Sequence, residues 1–290
     1  MSKNQSTVSR DNLERPLMNR KVALASRSNT LTSVLTLDDI RKRTPAVFAP
    51  TAHQRMSAKY NFIPTERVLT GLLRVGFVPV EARQTRARRA SALYTRHVLR
   101  LRRRVETVRV KDSVPEVLFL NSHDGTSAYQ LRIGLFRVVC TNGLIVSRGA
   151  FPTYRVPHRG NAVDDVIAAA IQVSEQFGSL AEQVDLMERR RLSNDEQIRF
   201  AERALALRFQ NPATTGITPA QLLACRRPED AGDDLWSALN KVQEALLGGG
   251  LILRSAGAGW PRRTRRITSI REDLRLNSGL WDLAVGLLAA

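Results

Sequence analysis

The chain has few of the residues on which common catalytic and metal-binding motifs depend. Its 290 residues include two cysteines, Cys140 and Cys225, and no CxxC or HExxH spacing. Two thiols are too few for a disulfide scaffold, so we expect a reducing compartment, and no metal site or cofactor is predicted. The sequence also lacks a P-loop and a GxGxxG motif, which disfavours nucleotide hydrolysis and dinucleotide binding.

Long apolar runs are absent as well. No stretch of eighteen apolar residues occurs, and the first ten residues, MSKNQSTVSR, contain no apolar core of a secretory signal. We therefore expect a cytoplasmic protein that makes no contact with a membrane. Hydrophobic residues make up 43% of the chain, which is ordinary for a globular protein large enough to bury a core.

Acidic residues are scarce in the first half of the chain. The net charge is +18 overall, but residues 1–160 carry +19, residues 161–247 carry −5 and residues 248–290 carry +4. Charge segregated in this way favours a polyanionic partner, most often nucleic acid. The alternative is an arginine-rich proteome that raises the charge of every protein, and the excess of Arg over Lys leaves that alternative open.

The basic residues are densest between Arg83 and Arg104, where nine arginines occur with no acidic residue between them. If this segment is a strand, alternate residues from Arg96 to Arg104 place four arginines on one face at intervals of about 7 Å, close to the phosphate spacing of an extended single strand. A solvated strand face is the alternative, although such faces usually mix both signs of charge. The predicted nucleic-acid-binding residues are Arg83, Arg86, Arg88, Arg89, Arg96, Arg100, Arg102, Arg103, Arg104, Arg132 and Arg137.

Hydrophobic periodicity predicts an α+β fold, in which an antiparallel β-meander is packed by a long amphipathic helix and followed by a helical C-terminal region. We assign residues 1–50 to a mobile basic N-terminal arm, with a short helix after Thr36. Residues 60–192 form the α+β core, with a helix after Pro64, four or five strands within 76–157 and a bulge or bend near Gly134. A long helix from Asn161 follows, with an apolar seam from Val166 to Met187. Residues 193–290 add helices, the first of which begins with a capping box at Ser193, then a basic Gly-rich loop and an apolar end with Trp281 as its anchor.

Five polar residues invite a catalytic interpretation: His123, Asp124, Cys140, Asn142 and His158. A thiol with His and Asn could act as a nucleophile, and His, Cys and Asp could bind zinc. Their spacing matches no known signature, Cys140 ends an apolar strand, and His-Asp-Gly is typical of a turn. We therefore predict no catalytic residue and treat all five as motif residues of unknown role.

Four stretches resemble a family of phage- and plasmid-borne proteins known as domain of unknown function 932. They are NSHDGTS at 121–127, FRVVCTNGL at 136–144, HRGN at 158–161 and LNSGLWDL at 276–283, and the resemblance covers roughly residues 60–285. It implies a mobile-element context rather than a mechanism. The order of helix, meander and long helix is also similar to single-strand annealing proteins of the Rad-fifty-two and RecT type, in which a basic groove on an oligomeric ring holds the strand backbone.

Together these observations predict a nucleic-acid-binding protein. The expected ligand is single-stranded DNA, bound or annealed during plasmid or phage replication or recombination by a homo-oligomer such as a ring. Two alternatives stay open: an enzyme using Cys140, His123 or His158, and an anti-defence or partitioning protein whose basic face meets an acidic protein.

Overall fold

In the computed structural model, residues 34–57, 60–86, 92–105, 108, 110, 113–137, 143–146, 151–253 and 262–289 are described, with the backbone alone for 137 and 143–146. The helices are α1 (Leu37–Arg43), α2 (Thr65–Arg74), α3 (Ala162–Glu175), α4 (Phe177–Arg189), α5 (Asn194–Arg208), α6 (Pro219–Leu223), α7 (Leu235–Gly248) and α8 (Ile270–Leu288). The strands are β1 (Phe77–Gln84), β2 (His97–Arg103), β3 (Ser113–Asn121), β4 (Tyr129–Arg137), β5 (Gly143–Val146), β6 (Tyr154–Val156), β7 (Ile252–Leu253) and β8 (Arg262–Arg263). Short 3-10 helices span Pro45–Phe48, Ala92–Tyr94, Pro212–Thr215 and Pro228–Asp230.

Residues 34–50 are folded, although the sequence analysis assigns them to a mobile N-terminal arm. Helix α1 begins where the sequence predicts, with a reciprocal capping box between Thr36 and Asp39. Ile40 and Val47 are fully buried in the main core, so this segment is part of the folded protein because its apolar side chains are taken from water. Residues 1–33 lie outside the described residues.

The central sheet confirms the predicted meander. Strands β1 to β5 follow one another in the antiparallel order β1-β2-β3-β4-β5, and β6 pairs with β4 beyond the end of β5. The pairing is irregular in β1, where the register shifts between Pro79 and Glu81, and not near Gly134, where the sequence predicts a bulge or bend. Gly134 keeps regular pairing with Glu116, and the absent side chain leaves room for Leu118 and Phe136.

The two faces of the sheet are covered by different helices. Residues such as Leu99, Leu101 and Phe119 belong to the main hydrophobic core, together with side chains of α2, α3 and α4. The alternate residues point the other way, as the pleat of a strand requires. There a smaller cluster forms, in which Val98, Leu118, Leu120 and Phe136 meet Ile270 and Leu274 at the start of α8. We call this second side the α8 face.

The predicted long helix is two helices, α3 and α4, that meet at Gln176. The predicted apolar seam is nevertheless buried throughout its length, at Val166, Ala170, Val173, Phe177, Leu180, Val184 and Met187. The C-terminal helices share the same core as the sheet, and Trp281 on α8 is buried against Phe151 as the predicted anchor. Among the described helices, none has the length and apolar character needed to cross a bilayer.

Candidate nucleic-acid interface

Two arginines of the predicted row, Arg100 and Arg102 on β2, are largely withdrawn from solvent. Arg100 donates from Nε to Glu116 Oε2 at 2.7 Å, and Arg102 donates from Nη2 to Glu116 Oε1 at 2.7 Å. Glu116 lies on the neighbouring strand β3 and its side chain is fully buried. Arg100 also stacks over the Phe136 ring, with 3.5 Å between guanidinium carbon and ring centroid. These two guanidinium groups are held by protein partners in this conformation.

A chain of alternating charges extends from this pair across the α8 face. Arg100 Nη1 lies 2.5 Å from Glu81 Oε2, and Arg83 Nε lies 2.9 Å from Glu81 Oε1. Arg83 Nη2 then donates to Asp273 Oδ2 on α8 at 3.2 Å. We call these six residues the ion-pair chain: Asp273, Arg83, Glu81, Arg100, Glu116 and Arg102. Three acids and three bases balance one another, so the chain fixes α8 to the sheet without leaving net charge.

The remaining predicted arginines are spread over different surfaces. Arg103 faces the main core, where Nη1 donates to Ser174 Oγ on α3 at 3.4 Å, whereas Arg86 and Arg104 are exposed. Arg88 and Arg89 lie outside the described residues, and for Arg137 only the backbone is described. Two of the predicted set, Arg96 and Arg132, meet at a different site.

That site is a cavity of about 260 Å³ between α8 and the β4–β6 side of the α8 face. We call it the arginine cavity, after the five side chains that line it: Arg96, Arg132, Arg155, Arg271 and Arg275. Leu120 and Leu274 form an apolar floor, and Gln130 and Ser278 add polar groups. No Asp or Glu lines the cavity among the described residues. On the helix that forms one wall, Arg275 donates from Nε to Glu272 Oε2 at 2.9 Å.

Strand register and helix periodicity bring these five arginines together. Arg155 on β6 lies opposite Gln130 on β4, and Arg132 follows two residues later on the same face. Arg271 and Arg275 are one helical turn apart on α8, so they point to the same side. Sequence reasoning missed Arg155, Arg271 and Arg275. A strand pattern at Tyr154-Arg155-Val156 could have indicated Arg155. Arg271 and Arg275 reach the cavity only because α8 packs on the sheet, which the sequence does not reveal.

The electrostatics of the cavity favour an anionic ligand. Burial lowers the pKa of Arg132, and the charge of Arg155 lowers it further, because two guanidinium groups repel each other there. Arg96 donates from Nη2 to the Thr126 carbonyl at 3.1 Å, while its buried Nε has no hydrogen-bond partner within the described structure. An anion that entered the cavity would relieve the repulsion and accept from such donors.

A buried histidine cluster lies on the other side of the sheet, at the start of α2. Thr65 Oγ1 is 3.0 Å from His97 Nε2 and 3.0 Å from His123 Nε2, and Asn121 Nδ2 donates to it at 2.9 Å. His158 stacks on Tyr129 nearby, with 4.2 Å between ring centroids. Burial is the main cause that lowers the pKa of His97 to about 4 and that of His123 to about 3. Both histidines are therefore neutral at pH 7.

The hydrogen bonds fix the tautomers of this cluster. His97 Nδ1 is 3.0 Å from the Thr95 carbonyl, which can only accept, so the Nδ1 atom carries the proton and Nε2 accepts from Thr65. The single hydroxyl proton of Thr65 is then used, so His123 must donate from Nε2. Thr65 donates once and accepts twice, which is the full capacity of a hydroxyl.

The structure agrees with a turn at Asp124. Its Oδ1 accepts from the Thr126 backbone N–H at 3.0 Å and from the Thr126 hydroxyl at 2.6 Å. In the described part of the chain, no group of three or more His, Cys, Asp or Glu side chains is arranged to hold a metal ion. Cys140 and Asn142 lie outside the described residues, so the thiol of the enzyme hypothesis has no described position.

Aromatic side chains near the basic surface serve the core. Phe119, Tyr129 and Phe136 are buried, and Tyr94 and Tyr154 are half-buried. None of them lines the arginine cavity. A ligand in this cavity would be recognised by its charge. If the ligand were a nucleic acid, these aromatic side chains would not stack on its bases there.

The fold and site define an α+β protein with a cationic cavity on one face of its sheet and a buried histidine cluster on the other. A family model described as "Domain of unknown function (DUF932)" matches residues 52–281, and the chain belongs to that family. It is similar to two Escherichia coli (strain K12) proteins, UPF0380 protein YafZ and UPF0380 protein YfjQ. Each is 40% identical over 255 residues, which cover 88% of this chain and 92% of the relative.

No solved structure matches this chain, so the likeness to single-strand annealing proteins has no support from a structural neighbour. The family resemblance noted in the sequence is confirmed, whereas the names of the relatives assign no activity.

Proposed function

We propose that this protein binds nucleic acid, with single-stranded DNA as the favoured ligand, through the arginine cavity. The observation that carries the proposal is the convergence of five guanidinium groups on one cavity whose described lining contains no carboxylate. The location differs from the strand face expected from the sequence, because the ion-pair chain occupies Arg83, Arg100 and Arg102. Of the residues first predicted, Arg96 and Arg132 remain in the binding set.

Phosphate is the ligand group that fits the cavity best. Guanidinium groups bind phosphate oxygens through paired, charge-assisted N–H···O hydrogen bonds, and a cluster of them favours a ligand with several negative charges. A nucleic-acid backbone supplies such charges in series. Because no aromatic side chain lines the cavity in the described part of the chain, we expect contacts to the nucleic-acid backbone and little base specificity.

The size of the cavity favours a single strand over a duplex. A recess of about 260 Å³ between a helix and a sheet can admit a phosphate with its sugar. Phosphates of a duplex are fixed on a rigid cylinder, whereas a single strand can bend its backbone into the recess. The annealing role and the ring-shaped homo-oligomer stay predictions. The molar mass of the purified protein, measured at the concentration used for binding, checks the oligomer.

The test is a fluorescence anisotropy titration with single-stranded DNA, double-stranded DNA and RNA. We expect the Arg155→Ala/Arg271→Ala double variant to lose about tenfold or more in affinity for single-stranded DNA, since each lost phosphate contact removes a charge-assisted bond. Its plot of log affinity against log salt, taken between about 50 and about 200 mM, should be less steep by about 1.4. Both arginines are exposed and make no ion pair in the described structure, so the fold should persist.

The matched control is Arg67→Ala/Arg74→Ala, which removes the same charge from α2 on the opposite face of the sheet. Both of these arginines are exposed. We expect its affinity to stay within about twofold of the wild type, since charges farther away than a Debye length are screened. Equal losses in the two double variants would mean that total charge, not the cavity, determines binding. No binding by the wild-type protein at either salt concentration would refute the proposed function.

A further inference from the structure

Residues 262–266, with the sequence RRTRR, form a basic segment that begins at β8 and leads toward α8. Its four arginines, Arg262, Arg263, Arg265 and Arg266, are exposed. The side chains of Arg262 and Arg265 make no hydrogen bond or ion pair within the described structure, and no acidic residue occurs between the segment and Glu272. Arg262 and Arg265 therefore add positive charge that no described carboxylate pairs.

The backbone of the basic segment is held in place. Thr264 donates from its backbone N–H to the Leu251 carbonyl at 2.9 Å and accepts from the Gly250 N–H at 2.9 Å, and its hydroxyl accepts from Leu251 N–H at 3.1 Å. Gly249 has a φ of 75°, and a Cβ there would lie 2.7 Å from the Thr264 carbonyl oxygen. Glycine at 249 thus allows the close approach that fixes the segment. Because the backbone is already fixed, less conformational entropy is lost when these arginines bind a ligand.

Arg208 at the end of α5 connects this segment to the wall of the cavity. Its Nη2 donates to the Arg265 carbonyl at 2.6 Å. The preceding residue, Leu207, accepts at its carbonyl from Nη2 of the cavity residue Arg275 at 2.6 Å. The charges of Arg275, Arg208 and Arg271 together lower the pKa of Glu272, after the larger effect of its hydrogen bond from Arg275. Hydrogen bonds therefore connect the cavity wall, Arg208 and the backbone of the basic segment.

We infer that the basic segment is a second contact surface for the same nucleic-acid strand that enters the arginine cavity. The inference rests on the proposed function and adds the path and the length of the bound strand. A strand long enough to leave the cavity would pass Arg275 and reach Arg262 and Arg265. Affinity should then rise with strand length beyond the length that fills the cavity, because additional phosphates are neutralised.

The experiment uses oligothymidylates of about 4 to about 24 nucleotides with the full chain. We expect Arg262→Ala/Arg265→Ala to bind the shortest detectable oligomer like the wild type and to lose about tenfold in affinity for the longest, with a salt slope reduced by about 1.4. The cavity variant Arg155→Ala/Arg271→Ala should weaken binding at every length. Arg67→Ala/Arg74→Ala again controls for the loss of two charges.

The outcomes separate the two proposals. A segment variant that keeps the full wild-type gain in affinity with length would overturn the second contact surface while leaving the cavity in place. Equal loss at all lengths would also overturn it, because the segment would then not act as a separate surface. If the wild type bound no oligomer of any length, the proposed function itself would fail.

Discussion

Replacing Glu116 with Ala is expected to reduce the free energy of unfolding by about 3–5 kcal/mol, the usual cost of removing one partner of a buried ion pair. Glu116 is fully buried and holds both Arg100 and Arg102. Without it, the Arg100 side chain, which is 9% exposed, keeps only Glu81 as a charged partner on the α8 face. The Arg102 guanidinium loses the carboxylate contact described for it. The measurement is urea unfolding at pH 7.5 of the variant and the wild type.

The exposed pair between Arg41 and Glu66 offers the control. Its closest N–O distance is 3.8 Å, and the two side chains are 56% and 45% exposed. Glu66→Ala should therefore cost less than about 1 kcal/mol, since solvent screens exposed pairs and side-chain ordering opposes them. Similar losses in the two variants would show that the buried carboxylate has no special part in stability.

The ion-pair chain has a consequence for the arginine cavity. Asp273 pairs with Arg83 on one side of α8, while Arg271 and Arg275 face the cavity on the other side. The side with Asp273 holds α8 on the sheet through an ion pair, whereas the side with Arg271 and Arg275 presents positive charge to the cavity. Loss of Glu116 should consequently weaken the proposed ligand site as well, because α8 supplies one wall of it.

Local patterns in the sequence predict most of the fold. Alternating apolar residues predicted the meander, and the seam from Val166 to Met187 predicted a helical face that is indeed buried. The capping signals at Thr36 and Ser193 predicted two helix starts, and both capping boxes form. These features depend on neighbours within a few residues, which is why the sequence alone reveals them.

The charge distribution was harder to predict because its partners lie across strands. The interval from Arg83 to Arg104 contains no acid, yet Glu81 on β1 and Glu116 on β3 flank Arg100 in the sheet. Strand register decides that neighbourhood, and spacing along a single strand does not. The arginine cavity needs even more distant information, since α8 enters the sequence more than a hundred residues after β4.

Mild acid is expected to destabilise the protein through the histidine cluster. The ordinary histidine pKa is 6.5, whereas burial lowers the pKa of His97 to about 4 and that of His123 to about 3. Above pH 6.5 both the folded and unfolded states are neutral at these positions, so the stability is complete. As the pH falls below 6.5, the unfolded chain binds protons that the folded chain does not. At pH 5 the loss should be about 2 kcal/mol for each of the two histidines.

Urea unfolding between pH 7.5 and pH 5 tests this dependence, above the range in which ordinary carboxylates titrate. His158, whose pKa is also lowered mainly by burial, adds a loss in the same direction. In the His123→Gln variant the amide can still donate to Thr65, but one titrating group is gone, so the acid-induced loss should shrink by about 2 kcal/mol. An unchanged pH dependence in this variant would mean that His123 binds protons equally in both states, which contradicts its burial between His97 and Phe62. The cluster is hydrogen-bonded to Thr65 at the start of α2, so its protonation should first loosen the packing of α2 on the main-core face of the sheet. The ion-pair chain lies on the α8 face and should continue to hold α8.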